Sequence, residues 1–458
     1  MAKELSRAIF QRRVRRRDGR AIFSSGFTAA NGLPFLPGSF PASPMKRRKL
    51  LTHVLFQSII LPAGDCTSTA AAPSLRGFSK TPDTPWRSKN MRYIGNKTKL
   101  LGFIDRVMDE LDIRSGVFCD LFAGTASVSR HMKERGFRII SADLMRYSYV
   151  LQRAYVVVDD YPQFVGLSRE VGIIPSSRGD ARKKALQKTV QFLNNLKDGQ
   201  GGFIYRSYCP GGSGGRRLYF TDDNGRRIDV IRERLARWQS EGRLTADEYY
   251  LLLAALIEAA DAVANISGVY CAFLKDLHPN ARHRLKLKPP KVITGGSGEH
   301  WALLGDANEL IERIRCDILY LDPPYNVRQY ACNYHLLETI AEGWSQEEPH
   351  IYGKTGMRPY QHQRSRYCCR RKGEKALTDL VEKARERSGC THLLMSYNDE
   401  GVVPRTSIEK ILRESGLSAS YRTFRRKYRR FRSDSDGPNR RYRRSDRVTE
   451  WIHYIRFR

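Results

Sequence analysis

Gly116-Val117-Phe118-Cys119-Asp120-Leu121-Phe122-Ala123-Gly124-Thr125-Ala126 joins an apolar run to a glycine-containing turn, and a helical pattern over residues 127–135 begins directly behind it, stopped by Gly136. A second apolar segment, residues 138–142, follows. Strand, turn, helix and strand in this order read as one unit of a parallel α/β sheet. In such a unit a nucleotide-like ligand meets backbone N–H groups where the strand gives way to the helix, and Gly124 lets the backbone come close to it. Asp143 ends the second strand, 19 positions after Gly124, where a carboxylate can accept hydrogen bonds from ribose hydroxyls. The turn lacks the Gly-x-Gly-x-x-Gly pattern of a dinucleotide site, and a glycine at such a turn is often purely structural. Asp143 weighs against that plainer reading.

Outward from this unit the chain falls into four parts. Residues 1–90 begin Arg-rich (Arg12, Arg13, Arg15, Arg16, Arg17), carry almost no acids and continue in Ser, Pro, Gly and Ala without helical or strand period. A phosphate-gripping arm, a targeting peptide and a start site placed too far upstream of Met91 are all open readings, and no function is assigned to this part. Residues 91–150 form the cofactor half of the catalytic domain, with a helix expected over 97–110. Residues 151–300, with Gly-rich turns at 211–215 and helices expected over 228–239 and 246–264, read as an insertion. Residues 301–458 resume the sheet pattern at 317–321 and 391–396, the substrate half, and end in a basic, aromatic tail from Tyr421.

Composition narrows the partners. A chain of 458 residues with 41% apolar content can bury a substantial core. Its 80 basic against 48 acidic residues give a net charge of +32, which favours a polyanion and a steep salt dependence without separating an enzyme from a passive binder. The nine cysteines are scattered, with no C-x-x-C pair or zinc spacing, so reduced thiols in the cytoplasm and no metal are expected. No run is long enough to span a bilayer; residues 50–61 come nearest and are interrupted by His53 and Gln57.

Asp322-Pro323-Pro324-Tyr325 directly follows the apolar strand expected over 317–321. The residue types suit methylation of an exocyclic amine. Adenine's amine has its lone pair delocalised into the ring and is a poor nucleophile until acceptors hold its two hydrogens. Asp322 supplies one acceptor and the Pro323 carbonyl a second, while two prolines fix the loop's φ angles. Tyr325 offers a ring on which an extruded base can stack. A sulfonium methyl would then be attacked in line, without a covalent enzyme intermediate or a metal. The plainer reading is a rigid Pro-Pro turn with Asp322 as its cap. A related tetrapeptide beginning with Asn serves other amines; Asp in first place favours adenine. His278, His283 and His335 are read as packing residues, because this chemistry needs no general base near neutral pH.

These residues resemble the Dam-like class of adenine-specific DNA methyltransferases, especially the branch that accompanies type IIS restriction systems, over residues 91–457. The resemblance implies a Rossmann-like, S-adenosylmethionine-dependent α/β fold with an inserted, partly helical target-recognition region. Arg92-Tyr93-Ile94-Gly95-Asn96-Lys97-Thr98-Lys99 is similar to the class's first cofactor motif, which implies that Tyr93, Asn96 and Lys97 lie near the cofactor's methionine end. Asp120, Phe122, Ala123, Gly124 and Thr125 resemble its glycine loop, Asp143 its ribose acid, Asp306 and Ala307 the segment along the adenine ring, and Asp322 to Tyr325 its catalytic motif. Asn326 to Glu338, Ser396-Tyr397-Asn398, and Ala264 to Tyr270 with Lys275 are also similar to that branch. One departure is Ala126, where many members carry a second glycine.

The implied partner is duplex DNA, alongside a restriction endonuclease unless the enzyme is an orphan, and a monomer is compatible with acting on one strand. Candidate nucleic-acid contacts are Arg425, Arg426 and Lys427 in the tail, with Arg216, Arg217 and Lys275 in the insertion, beside Arg226 and Arg227. Two alternatives stand beside this expectation: an RNA adenine methyltransferase, and a noncatalytic nucleic-acid binder of the same fold.

Overall fold

The computed structural model describes residues 91–295, 299–429 and 447–457. The readings made for residues 1–90 lie outside them. Seven strands form one sheet in the order β3-β2-β1-β4-β5-β7-β6. They are β1 (Val117–Asp120), β2 (Arg138–Asp143), β3 (Trp301–Leu304), β4 (Ile318–Leu321), β5 (His392–Asn398), β6 (Arg422–Arg429) and β7 (Arg447–Arg456). β1 to β5 pair in parallel, and β7 runs antiparallel to both β5 and β6.

The central strands are short and buried at every position, as expected of a parallel sheet covered on both faces. Their alternation sorts side chains between two layers. Phe118, Ile139, Tyr320 and Leu394 face the helices Leu101–Glu110 and Ser127–Glu134. Val117, Cys119, Leu319 and Leu393 face the helices Arg370–Arg387 and Arg405–Ser415. Phe118 and Tyr320 stack across neighbouring strands with ring centroids 5.8 Å apart, and burying an aromatic side chain of this kind stabilises by about 1.5–3 kcal/mol.

The chain leaves β1 towards β2 and β3 on one side and reaches β4 and β5 on the other, so the sheet reverses its winding between β1 and β4. The crevice beyond the carboxyl ends of these two strands is where such sheets bind ligands. Asp120 lies opposite Tyr320 in the register, which brings the segments after 120 and 321 side by side.

The segment 151–300 does not build a core of its own. One cluster joins Met145 and Tyr147 to Trp238, Leu252 and Leu256 and on to Leu336 and Trp344. Its centre is the helix Ala246–Val263, apolar nearly all round, which packs on the helices Arg146–Gln152, Asp222–Ser240 and His335–Glu342. Thr245 and Glu248 close a reciprocal capping box at its start. The boundary expected at 150/151 therefore cuts through a helix, Arg146–Gln152, whereas the one at 300/301 meets the start of β3.

Other expectations need correction. The helix expected from 228 starts at Asp222, because the Thr221 hydroxyl accepts from the Asn224 N–H and two aspartates occupy the first turn. Gly225 disguises that start. It is glycine because a Cβ there would lie 2.2 Å from the Cys209 sulfur, so the helix could not approach. The basic, aromatic tail, for which no element was expected, builds two strands where it is described: β6 and β7 form an antiparallel pair that completes the sheet, with Phe424 and Tyr428 packed inward. Among the described residues, no helix is long and apolar enough to cross a membrane.

Candidate active site

Every residue expected to bind cofactor or carry catalysis lines one of two adjoining clefts at the β1/β4 crevice. The larger holds about 740 Å³ of open space, and its walls include Tyr93, Phe122, Asp143, Asp306, Ala307 and the tetrapeptide Asp322 to Tyr325. The smaller is lined by Asn96, Lys97, Asp120, Ala123, Gly124 and Thr125, with Tyr93, Gly95, Phe122 and Asp322 common to both.

The segment around Tyr93 is pinned from below. Arg92 donates to the carbonyls of Ala264 and Ile266 and pairs with Asp261, while the Ile94 N–H donates to the Tyr334 hydroxyl at 2.7 Å. Tyr93 then stacks on Tyr334 at 4.8 Å. Its ring explains Gly124: φ is +53° there, and a Cβ would come within 2.8 Å of the Tyr93 ring. Ala126 is also left-handed, at φ 57°, so the position where many members of the class carry glycine keeps a glycine-like backbone despite its methyl group.

The backbone N–H groups that the sequence reading offers to a ligand are largely taken. Phe122 N–H donates to Asp120, Ala123 N–H to the Ala142 carbonyl at 2.9 Å and Gly124 N–H to Asp143 at 2.8 Å. Asp143 also accepts from the Met145 N–H at 2.8 Å, so it fixes the loop as well as facing the cleft. Burial pushes its carboxyl above the ordinary range, against the pull of these N–H groups. Burial likewise raises Asp120 to about 7, although the Ser129 hydroxyl donates to it at 2.7 Å. Asp306 caps the helix Ala307–Leu310 and accepts from Arg366 at 3.1 Å, a contact the sequence did not suggest. A crevice with occupied N–H groups and four acidic side chains, Asp120, Asp143, Asp306 and Asp322, disfavours a phosphate and suits an uncharged or cationic nucleoside.

The tetrapeptide is held by side chains from distant segments. Lys97 places its ammonium 2.9 Å from Asp322 Oδ1 and 2.9 Å from Glu450 Oε1, in contact with the Tyr325 hydroxyl. That hydroxyl reaches Asp322 Oδ1 at 2.5 Å and Glu450 Oε1 at 2.7 Å. The Tyr325 ring meets Tyr397 edge-on at 5.0 Å. Burial raises the Asp322 carboxyl to about 6, with Lys97 opposing and Glu450 adding to the shift. Burial alone would lower Lys97, but the two carboxylates more than reverse this and hold it protonated. Glu450, on β7, was not singled out in the sequence; the only signal was its place on the inward face of an alternating segment, Val448, Glu450 and Ile452.

The candidate nucleic-acid contacts divide. Arg216, Lys275, Arg425 and Lys427 are exposed. Arg426 alternates to the other side of β6, level with Glu450 on β7, so it does not share a face with Arg425 and Lys427. Arg217 does not serve as expected: it is buried, and its guanidinium donates to the carbonyls of Ser207, Gly353 and Lys354. Arg227 is buried too, donating to Asn194 and Asp198, and Arg226 lies over the Tyr205 ring. His335 is buried against the Tyr270 carbonyl at 3.0 Å and kept neutral by burial, which lowers it to about 4.

Residues 93–388, well over half the chain, match the D12 class of N6 adenine-specific DNA methyltransferases. The chain is 38% identical to the type II methyltransferase M.FokI of Planomicrobium okeanokoites over 75% of its own length and 50% of that protein. It is 35% identical to the type II methyltransferase M.NlaIII of Neisseria lactamica, over 80% of this chain and 99% of the relative. With the modification methylase StsI of Streptococcus sanguinis it shares 33% identity, over 80% of this chain and 52% of that one. The chain thus spans about half the length of M.FokI and of StsI and nearly all of M.NlaIII.

Proposed function

Because this chain belongs to the D12 class of N6 adenine-specific DNA methyltransferases, we propose that it methylates N6 of an adenine turned out of duplex DNA, as the modification partner of a restriction endonuclease. The observation that carries the reading is the meeting of Asp322, at the end of β4, with the Gly124 loop, at the end of β1, in one crevice. The residues present fit S-adenosylmethionine. Asp143 suits ribose hydroxyls, Asp120 a cationic amine, and Phe122, Leu144 and Tyr367 an adenine ring. When bound, S-adenosylmethionine supplies the electrophilic methyl group.

The chain's own residues orient the nucleophile. Lys97 and Tyr325 both reach Asp322 Oδ1, which leaves Oδ2 for one amine hydrogen, and the Pro323 carbonyl takes the other. With both hydrogens held, the nitrogen lone pair is directed out of the ring plane. The prolines keep the acceptors in place before the substrate arrives. The surplus proton on the methylated nitrogen is acidic enough to pass to Asp322 or to water. Tyr325, fixed against Tyr397, gives the extruded base a ring to stack on.

Arg216, Lys275, Arg425 and Lys427 are assigned to DNA contact, and sequence reading to loops of the segment 151–300. The described cysteines are free; a cytoplasmic site of action goes with this reading, and a monomer is compatible with acting on one strand. The test is transfer of labelled methyl from S-adenosylmethionine to unmethylated duplex DNA, with Asp322→Ala and an RNA substrate alongside. Label at adenine N6 that disappears in the variant supports the reading. Label on RNA alone overturns the substrate, and cofactor binding without transfer to either favours a noncatalytic binder.

A further inference from the structure

Glu450 is fully buried on β7, level with Asn398 on β5, and its carboxylate is the hub of the network behind the tetrapeptide. Besides Lys97 and the Tyr325 hydroxyl, it accepts from the Ser396 hydroxyl at 2.7 Å and the Tyr428 hydroxyl at 3.4 Å. A structural ion pair needs one cation and one anion. Here one ammonium is shared by the fully buried Glu450 carboxylate and the partly buried Asp322 carboxylate, which leaves a surplus negative charge, an arrangement costly to keep in a protein interior. Lys97 could satisfy Asp322 alone. The second carboxylate has a different effect: it draws the ammonium and the Tyr325 hydroxyl to one point, so both meet Asp322 on Oδ1 and leave Oδ2 to a substrate.

We propose that Glu450 is a positioning residue for methyl transfer, holding Lys97 and Tyr325 against Asp322 so that the Asp322 carboxylate keeps its orientation towards the substrate amine. This rests on reading Asp322 to Tyr325 as the methyl-transfer site. Besides Tyr325 and Tyr330, Asp322 is faced by Lys97 from the N-terminal segment, Asp120 from β1, Tyr320 from β4, Tyr428 from β6 and Glu450 from β7. Of the carboxylates in that set, Glu450 shares the Lys97 ammonium with Asp322. Removing its charge leaves Lys97 to Asp322 alone and so makes Asp322 harder to protonate.

The experiment compares Glu450→Gln, Glu450→Asp, Lys97→Met and the Gln/Met double variant in the full chain, measuring kcat, KM for DNA, the pH profile and cofactor affinity. The expected result for Glu450→Gln is a fall in kcat of about 10²-fold, the scale of a misplaced catalytic group. KM and cofactor affinity should change little, and the acid limb should move to lower pH. Glu450→Asp should return the limb towards its original pH. In the Lys97→Met background the Gln substitution should add little. A kcat for Glu450→Gln within about twofold of wild type, an acid limb that stays in place, or fully independent effects in the double variant would each overturn the proposal. If Glu450→Gln does not fold, Glu450→Asp decides: full wild-type kcat rules the positioning role out, and a reduced kcat with an unmoved limb supports it. A wild type that transfers no methyl group sinks the reading of the site itself, whereas transfer unaffected by Glu450 sinks this proposal alone.

Discussion

The loops after β1 and β4 lie side by side at the same edge of the sheet, yet they are held in opposite ways. The loop over 121–126 bends through two left-handed residues, Gly124 and Ala126, whose turn is tied to the end of β2, 19 positions on, by the Ala123 N–H donating to the Ala142 carbonyl and the Gly124 N–H to the Asp143 carboxylate. The loop over 322–325 is stiffened by two prolines, and its polar side chains are fixed by Lys97 and Glu450, which lie 228 positions before and 125 after Tyr325. The first loop is shaped locally and receives a ligand. The second is shaped by the whole fold and orients a reacting group. Precision at a reacting atom needs support from several elements, while a binding surface tolerates a local solution.

This contrast can be broken from either side. The largest effect is expected for Asp322→Ala: methyl transfer should drop by about 10³-fold or more, as when an electrostatic group at a reacting centre is removed. Calorimetry should find cofactor affinity preserved, because the β1 loop does not depend on Asp322; loss of both together would dissolve the distinction. Next comes Gly124→Ala. The new methyl would collide with the Tyr93 ring at 2.8 Å in a left-handed backbone, and the strain of about 1–2 kcal/mol is relieved only by moving the loop. Cofactor affinity should fall by about tenfold, with kcat at saturation much less affected, and an unaltered dissociation constant would show that the loop has slack.

The pH profile sharpens the comparison further. Asp322 must be ionised to accept from the amine, and its carboxyl sits at about 6, so kcat should fall by about tenfold per unit below that pH and level off above it. A profile flat down to pH 5 would mean that Asp322 is not the titrating acceptor. The smallest effect is expected for Ala126→Gly. It relieves a left-handed alanine but removes a buried methyl group, and the two nearly cancel, leaving a change of less than about 1 kcal/mol in a denaturation midpoint. A larger loss would show the methyl, rather than the backbone, to be what the loop needs.

The same contrast explains how much could be read from the sequence. The strands at 117–120, 138–143, 318–321 and 392–398, the glycine turn and the tetrapeptide are signalled by neighbouring residues, and the ends of the first three strands, the turn and the tetrapeptide line the crevice. Glu450 was hidden because it sits in a tail whose basic and aromatic run points to nucleic-acid contact, and only the pairing of β5 with β7 carries it to the site. Arg216 and Arg217 are adjacent and chemically identical, yet one is exposed and the other is spent on three carbonyls. No local pattern separates them. The start of the helix Asp222–Ser240 was masked by Gly225, a residue chosen for close packing rather than helix propensity.

The helix Ala246–Val263 lies within the stretch assigned to target reading, yet it serves as a wall of the core beside Arg146–Gln152 and His335–Glu342. It follows that this stretch is not a detachable cassette. A graft intended to change which bases are read has to leave that helix in the host and exchange only the loops it supports, since a cut at its borders would strip an apolar surface bare on both halves.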